Sequence, residues 1–176
     1  MTVDDGRRLP AVELVPLCAE VFAALAEGDL AAAEQVSPVP LSACFAGPAW
    51  RSVWRRRARQ LAEAPGDAAW VTQVVWDVDQ QRAVGRAGFH GPPDHRGVVE
   101  IGYAVEPAFR QQGWARASLL ALLERAGREP DVRVVRLTIS PGNAVSRRLA
   151  VSSGFVEVGE QVDAEDGLEL VYERPA

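Results

Sequence analysis

Residues 100–116, EIGYAVEPAFRQQGWAR, decide how the rest of this chain is read. The first part continues an apolar run from Val98 and has the character of a strand, which Glu106-Pro107 breaks. Arg110, Gln111, Gln112, Gly113, Trp114 and Ala115 then turn the chain into an amphipathic helix whose stripe is Ala115, Leu119, Leu122, Leu123 and Ala126. Such a strand–loop–helix passage collects orphan N–H groups at the helix start, where a partial positive charge of about half a unit favours an anion. Gly113 and Ala115 are small enough to let a phosphate reach the main chain. Two readings follow: a loop for a phosphate-bearing ligand, or a tight turn eased by Gly113 before a core helix.

The chain around this stretch has 176 residues, 48% of them hydrophobic, which suits a single domain over 1–176 that needs neither disulfide nor metal for its core. No apolar run approaches the roughly eighteen residues of a membrane span, and MTVDDGRRLP lacks a signal-peptide pattern. The expectation is a soluble cytoplasmic protein with no membrane partner. A net charge of −5 argues against general nucleic-acid binding. Cys18 and Cys44 read as reduced thiols, and with His90 and His95 they form no metal-ligand spacing, so no metal is expected. Every basic residue is arginine. That removes phosphate-loop lysine and Schiff-base chemistry together.

Taken in order, 11–17 alternate as a short first strand and 18–34 follow a helical pattern interrupted by Gly28. After the SPVP loop, 49–64 make a second helix with Trp50, Val53, Trp54, Arg57/Ala58 and Leu61 at helical spacing. It carries Arg55 to Arg59, RRRAR, read either as a solvated face or as the wall of a cleft for acidic acceptors. Residues 69–78, 82–89 and 98–105 give three successive antiparallel strands. Beyond the central helix, 131–140 form a strand. A shorter helix from Asn143 follows, with Val145, Leu149 and Ala150 toward the core and Gly154 as its left-handed stop. Runs 155–162 and 168–173 close the chain as a hairpin.

Three passages carry a resemblance: EIGYAV before the loop, Arg110-Gln111-Gln112-Gly113-Trp114-Ala115 as R-x-x-G-x-A, and Asn143-x-x-Ser146-x-x-Leu149 leading to Gly154-Phe155. With the order β-α-α-β-β-β-α-β-α-β-β, the chain resembles the GNAT superfamily of acyl-CoA-dependent N-acetyltransferases, and most of all its ribosomal-protein N-terminal acetyltransferase (RimJ/RimL-like) branch. The resemblance implies an α/β (α+β) fold: a mixed, mostly antiparallel sheet of about seven strands, flanked by about four helices and split in a V between strands 4 and 5. It also implies acetyl-CoA as acyl donor. Main-chain groups of Gln111, Gln112, Gly113, Trp114, Ala115 and Arg116, next to Arg110, would take its pyrophosphate. Tyr103, Ala104 and Val105 would pair with the pantetheine, and Asn143 and Ser146 would contact it from the later helix. The amine acceptor would be a small molecule or a peptide N-terminus, attacked directly in a ternary complex.

Direct attack needs a neutral amine, which at pH 7 costs about 4–5 kcal/mol for a lysine-like group and about 1 kcal/mol for a peptide α-amine. Glu100 is the expected base, with His90 as the alternative. Many relatives place a tyrosine soon after the equivalent of Leu149 to protonate the leaving thiolate, whereas this chain reads Ala150-Val151-Ser152-Ser153. Ser152 or water would serve, or no acid at all, since a thiol of pKa about 8.5 leaves readily. A CoA-binding sensor or scaffold without turnover is the competing reading. A homodimer, through a helix or the C-terminal hairpin edge, is compatible with the sequence.

Overall fold

The computed structural model describes residues 8–164 and 167–176. Seven strands form one sheet in the order β1-β2-β3-β4-β5-β7-β6. They are β1 (Val12–Val15), β2 (Gln73–Asp77), β3 (Arg82–Phe89), β4 (Val98–Val105), β5 (Val134–Ile139), β6 (Val156–Asp163) and β7 (Gly167–Pro175). Every neighbouring pair is antiparallel except β4 with β5. Among the described residues five α-helices accompany the sheet, one more than expected: α1 (Ala19–Glu27), α2 (Leu30–Val36), α3 (Pro48–Glu63), α4 (Trp114–Ala126) and α5 (Ala144–Ser152).

The extra helix comes from Gly28. At φ +78° it ends α1 in the left-handed region and donates back to its last carbonyls. Asp29 then caps α2 by accepting from the Ala32 N–H at 2.9 Å. The expected strand over 69–78 is shorter than its pattern, because Pro65–Trp70 winds into a 3-10 turn and pairing begins only at Gln73. There Trp70 packs against Phe89, ring centroids 5.4 Å apart. Val145, expected in the core, is instead 69% exposed, and α5 turns Ala150 inward.

The core has two parts, one on each face of the sheet. Leu119, Leu122 and Ala126 of α4 pack with Ile101, Val135, Leu137 and Phe155 on one face. On the other, Phe22 and Leu25 of α1 and Trp50, Trp54 and Leu61 of α3 pack over Val74 and Ala83. The Trp54 indole also donates to the Phe45 carbonyl at 2.6 Å. Proline at the first position of α3 suits a place where no helical N–H bond is lost. The buried stripe of α3 runs Trp50, Trp54, Arg57, Leu61, so an arginine occupies an apolar position.

Candidate active site

Strands β4 and β5 run together only where Val98, Val99 and Glu100 face Val134, Val135 and Arg136. Past Glu100, β5 remains paired with β7 as far as Ile139, and β4 with β3 as far as Val105. A gap therefore opens between them. The His90 N–H donates to the Glu100 carbonyl at 2.8 Å and the Glu106 N–H to the Val84 carbonyl at 2.9 Å. By the alternation of antiparallel pairing, residues 100, 102, 104 and 106 turn their main-chain groups to β3 and residues 101, 103 and 105 turn theirs to the β5 side, where the Ile101 N–H still serves the seam at Arg136 and Tyr103 and Val105 face the gap. Ala104, expected to pair with a ligand, spends its main chain on β3.

The loop after β4 leads into α4 with Gln111 at φ +61° and Gly113 at φ +91°. Turns of this kind point successive N–H groups outward, a shape suited to anions. Among the described residues no acceptor takes the main-chain N–H groups of 111–116. Arg110 Nε donates to the Val105 carbonyl at 3.3 Å and Gln112 Nε2 to the Ala108 carbonyl at 3.2 Å, so both side chains fasten the loop. Leu9 and Pro10 close its back: a Cβ at Gly113 would stand 3.3 and 3.2 Å from their carbons. Trp114 is 6% exposed and belongs to the core, so only its main chain is open to a ligand. Asn143 caps α5, accepting from the Ser146 N–H at 3.1 Å, and both residues line the gap.

A cavity of about 350 Å³ fills the gap and runs through it to α3, where Arg56, Arg57, Arg86, His90, Tyr103 and Thr138 are among its walls. A second hollow of about 310 Å³, between His90 and Arg56, Arg57 and Arg59, adjoins it. Glu100 and His90, read from the sequence as alternatives, are partners here: His90 Nδ1 lies 3.1 Å from Glu100 Oε1. The Thr138 hydroxyl donates to the same oxygen at 2.8 Å. Burial raises the Glu100 pKa, but the His90 hydrogen bond and charge, the Thr138 bond and Arg136 outweigh it and leave it below the ordinary value. The imidazole lies over Gly102, where a Cβ would come 2.6 Å from Nε2. His90 thus faces the cavity and Glu100 stands behind it.

Tyr103 enters from the α5 side. Its hydroxyl is buried close to Ser146 without a fully formed hydrogen bond, and burial raises its pKa against the opposing pull of Ser146. Ser152 is not among the residues lining the cavity; its hydroxyl donates to the Leu149 carbonyl at 3.0 Å at the exposed end of α5. It is out of place for a proton donor. The sequence reading overlooked the Tyr103 hydroxyl, Thr138 and Arg86, and only the arginine in the apolar stripe of α3 hinted that this helix faces a polar site.

A family model described as acetyltransferase (GNAT) domain matches residues 12–156. An uncharacterized N-acetyltransferase of Bacillus subtilis, YjdG, is 25% identical over 96 residues, 54% of this chain and 57% of that relative. The fold is shared with RimL, a ribosomal L7/L12 α-N-protein acetyltransferase solved with coenzyme A (TM-score 0.63, 20% identity, 93% of each chain). It is shared equally with a chimeric spermidine N-acetyltransferase SpeG from Vibrio cholerae and hSSAT (0.65, 16%, 93% and 95%). A Vibrio fischeri ribosomal-protein-S5-alanine acetyltransferase has it too (0.62, 16%, 93% and 91%). No helix among the described residues is long and apolar enough to cross a membrane, and none of their side chains group as a metal site. With its split sheet, open helix start and matching family model, the chain belongs to the GNAT acetyltransferase family.

Proposed function

We propose that this protein moves the acetyl group of acetyl-CoA to a primary amine by direct attack. The observation that carries this is the His90–Glu100 pair set beside the open edge of β4. The unused N–H groups of 111–116 suit the diphosphate. The outward main chain of Tyr103 and Val105 suits the pantetheine amides, as an added strand, and one of its N–H groups would polarise the thioester carbonyl. RimL, which shares this fold, has been solved with coenzyme A.

The amine enters from the α3 side. With Nδ1–H held by Glu100, His90 Nε2 carries the lone pair and accepts the proton as the amine nitrogen bonds to the carbonyl carbon. Glu100 is then a positioning residue. As the C–S bond breaks, the thiolate sulfur takes the Tyr103 proton, and water returns a proton from His90 to Tyr103. The unpaired cysteines fit a reducing, cytoplasmic setting.

The spermidine and ribosomal-protein enzymes of this fold differ so much in acceptor that the fold names none. The test is thiol release from acetyl-CoA with a panel of amines and peptides. A product 42 daltons heavier than the amine, the mass an acetyl group adds, is expected. Tight binding of acetyl-CoA without turnover on any amine would replace this reading by that of a sensor.

A further inference from the structure

On the acceptor side of the cavity, Arg57 is a buried cation with no carboxylate in ion-pair contact among the described residues. Arg57 is 3% exposed, yet its hydrogen-bond partners are neutral oxygens: Thr72 Oγ1 at 3.1 Å from Nε, and Gln60 Oε1 and the His90 carbonyl at 2.6 and 3.0 Å from Nη1. Burying a guanidinium among neutral groups is costly and is recovered when an anion arrives. Burial first, then the like charge of Arg56, lowers its pKa to about 10 against the pull of Glu100, so it stays protonated at neutral pH. Arg56 and Arg86 line the same cavity, and the Arg86 guanidinium lies 5.3 Å from the Trp50 ring centroid.

We infer that the acceptor is a primary amine bearing its own carboxylate or phosphoryl group a few bonds from the nitrogen, with the anion at Arg57 and the amine at His90. This rests on the transferase reading above and adds the substrate class. The spacing follows from the chain itself. Arg57 Nη1 donates to the carbonyl of the very residue whose ring faces the amine, so cation and base lie within one residue's breadth. With Nε and Nη1 already engaged, Arg57 has its Nη2 hydrogens left for an anion, and a carboxylate or a phosphoryl oxygen suits them alike, which is why the two share one site. Arg57 opposes a polyamine at this end of the cavity, which Glu169 also lines, although spermidine is the acceptor of enzymes with this fold.

The experiment compares matched acceptors with the whole protein. Amino acids are set against their amides, an aminoalkylphosphonate against its neutral diester, and spermidine is run alongside. The anionic member of each pair should have the higher kcat/KM, by about ten- to hundredfold, the range of a charge-assisted hydrogen bond. The preferred pair tells carboxylate from phosphoryl. Arg56→Gln should raise KM for that acceptor while kcat and KM for acetyl-CoA hold. Amide, diester or polyamine turning over as fast as the anionic members would overturn this inference and leave the transferase intact. No turnover on any amine, with acetyl-CoA bound in the calorimeter, would overturn both.

Discussion

The two sides of the split sheet are built by different means. On the α4 side the groups on offer are main-chain N–H groups, fixed by one turn and one helix start. On the α3 side they are side chains from α3, β3, β4 and β5 brought together by tertiary packing. A main-chain site is written into a few adjacent residues, and almost any side chain outside the glycine leaves it intact. A side-chain site depends on register, and a single displaced ring removes it. The two sides should therefore fail separately when disturbed.

The largest separation is expected from His90→Gln, which keeps the size of the side chain but not its proton affinity. For a lysine-like acceptor kcat should fall by about 10²–10⁴ while the Kd for acetyl-CoA holds, by steady-state kinetics and calorimetry. An α-amine acceptor should suffer less, since its amine is more often neutral. An equal loss in cofactor affinity would mean the two sides are one site. Gly113→Val is the converse: a β-branched residue at φ +91°, close against Pro10 and Leu9, should strain the loop by about 1–3 kcal/mol and weaken acetyl-CoA binding accordingly. Its acceptor KM should not move. Gly102→Ala would push a carbon to 2.6 Å from His90 Nε2, and a loss of about tenfold in kcat is expected, below the roughly 10²–10⁴ that general-base catalysis contributes, because the ring is displaced and not removed.

The smallest effect is on stability, and it sets Glu100 against Glu106, six residues apart. Glu100 has a lowered pKa, so its stabilisation is full above the unfolded value of about 4.3 and is lost as pH falls through the folded one. Glu106 is 6% exposed; burial raises its pKa against the Ser42 hydrogen bond, so its cost appears as pH rises through that raised value. Glu106→Gln should thus raise Tm at pH 7 and Glu100→Gln should lower it, each by on the order of 1–2 °C; the first difference should shrink as pH falls toward about 4.3, and the second should persist to that point and shrink only below it. Thermal melts across that range check the sign of each.

This contrast also explains what could be read from the sequence. The turn at Gly113, the helix start at Asn143, the stop at Gly154 and the succession of strands along the chain are local patterns, and they lie where spacing placed them. Gly28 was visible as an interruption, though not as a full break between helices. What stayed hidden depended on contacts far apart in the chain. Nothing local says that His90 lies over Gly102 and meets Glu100, because that follows from the β3–β4 register. Nor does helical spacing say whether Val145 or Ser152 faces inward when α5 meets the sheet over so few residues. Arg57 was seen in the run of arginines, but a stripe position occupied by a cation reads as an error of pattern until its cavity is known.

The parallel seam between β4 and β5 is three residues long on each strand. Mechanically, the seven strands are two stiff leaves joined by a short stitch, and the leaves meet the two ends of one elongated ligand. A molecule lying along the opening would act as a splint across that stitch. Breathing of the leaves, read as amide exchange at Val99 and Arg136, should then quiet when the donor binds, before any acceptor arrives.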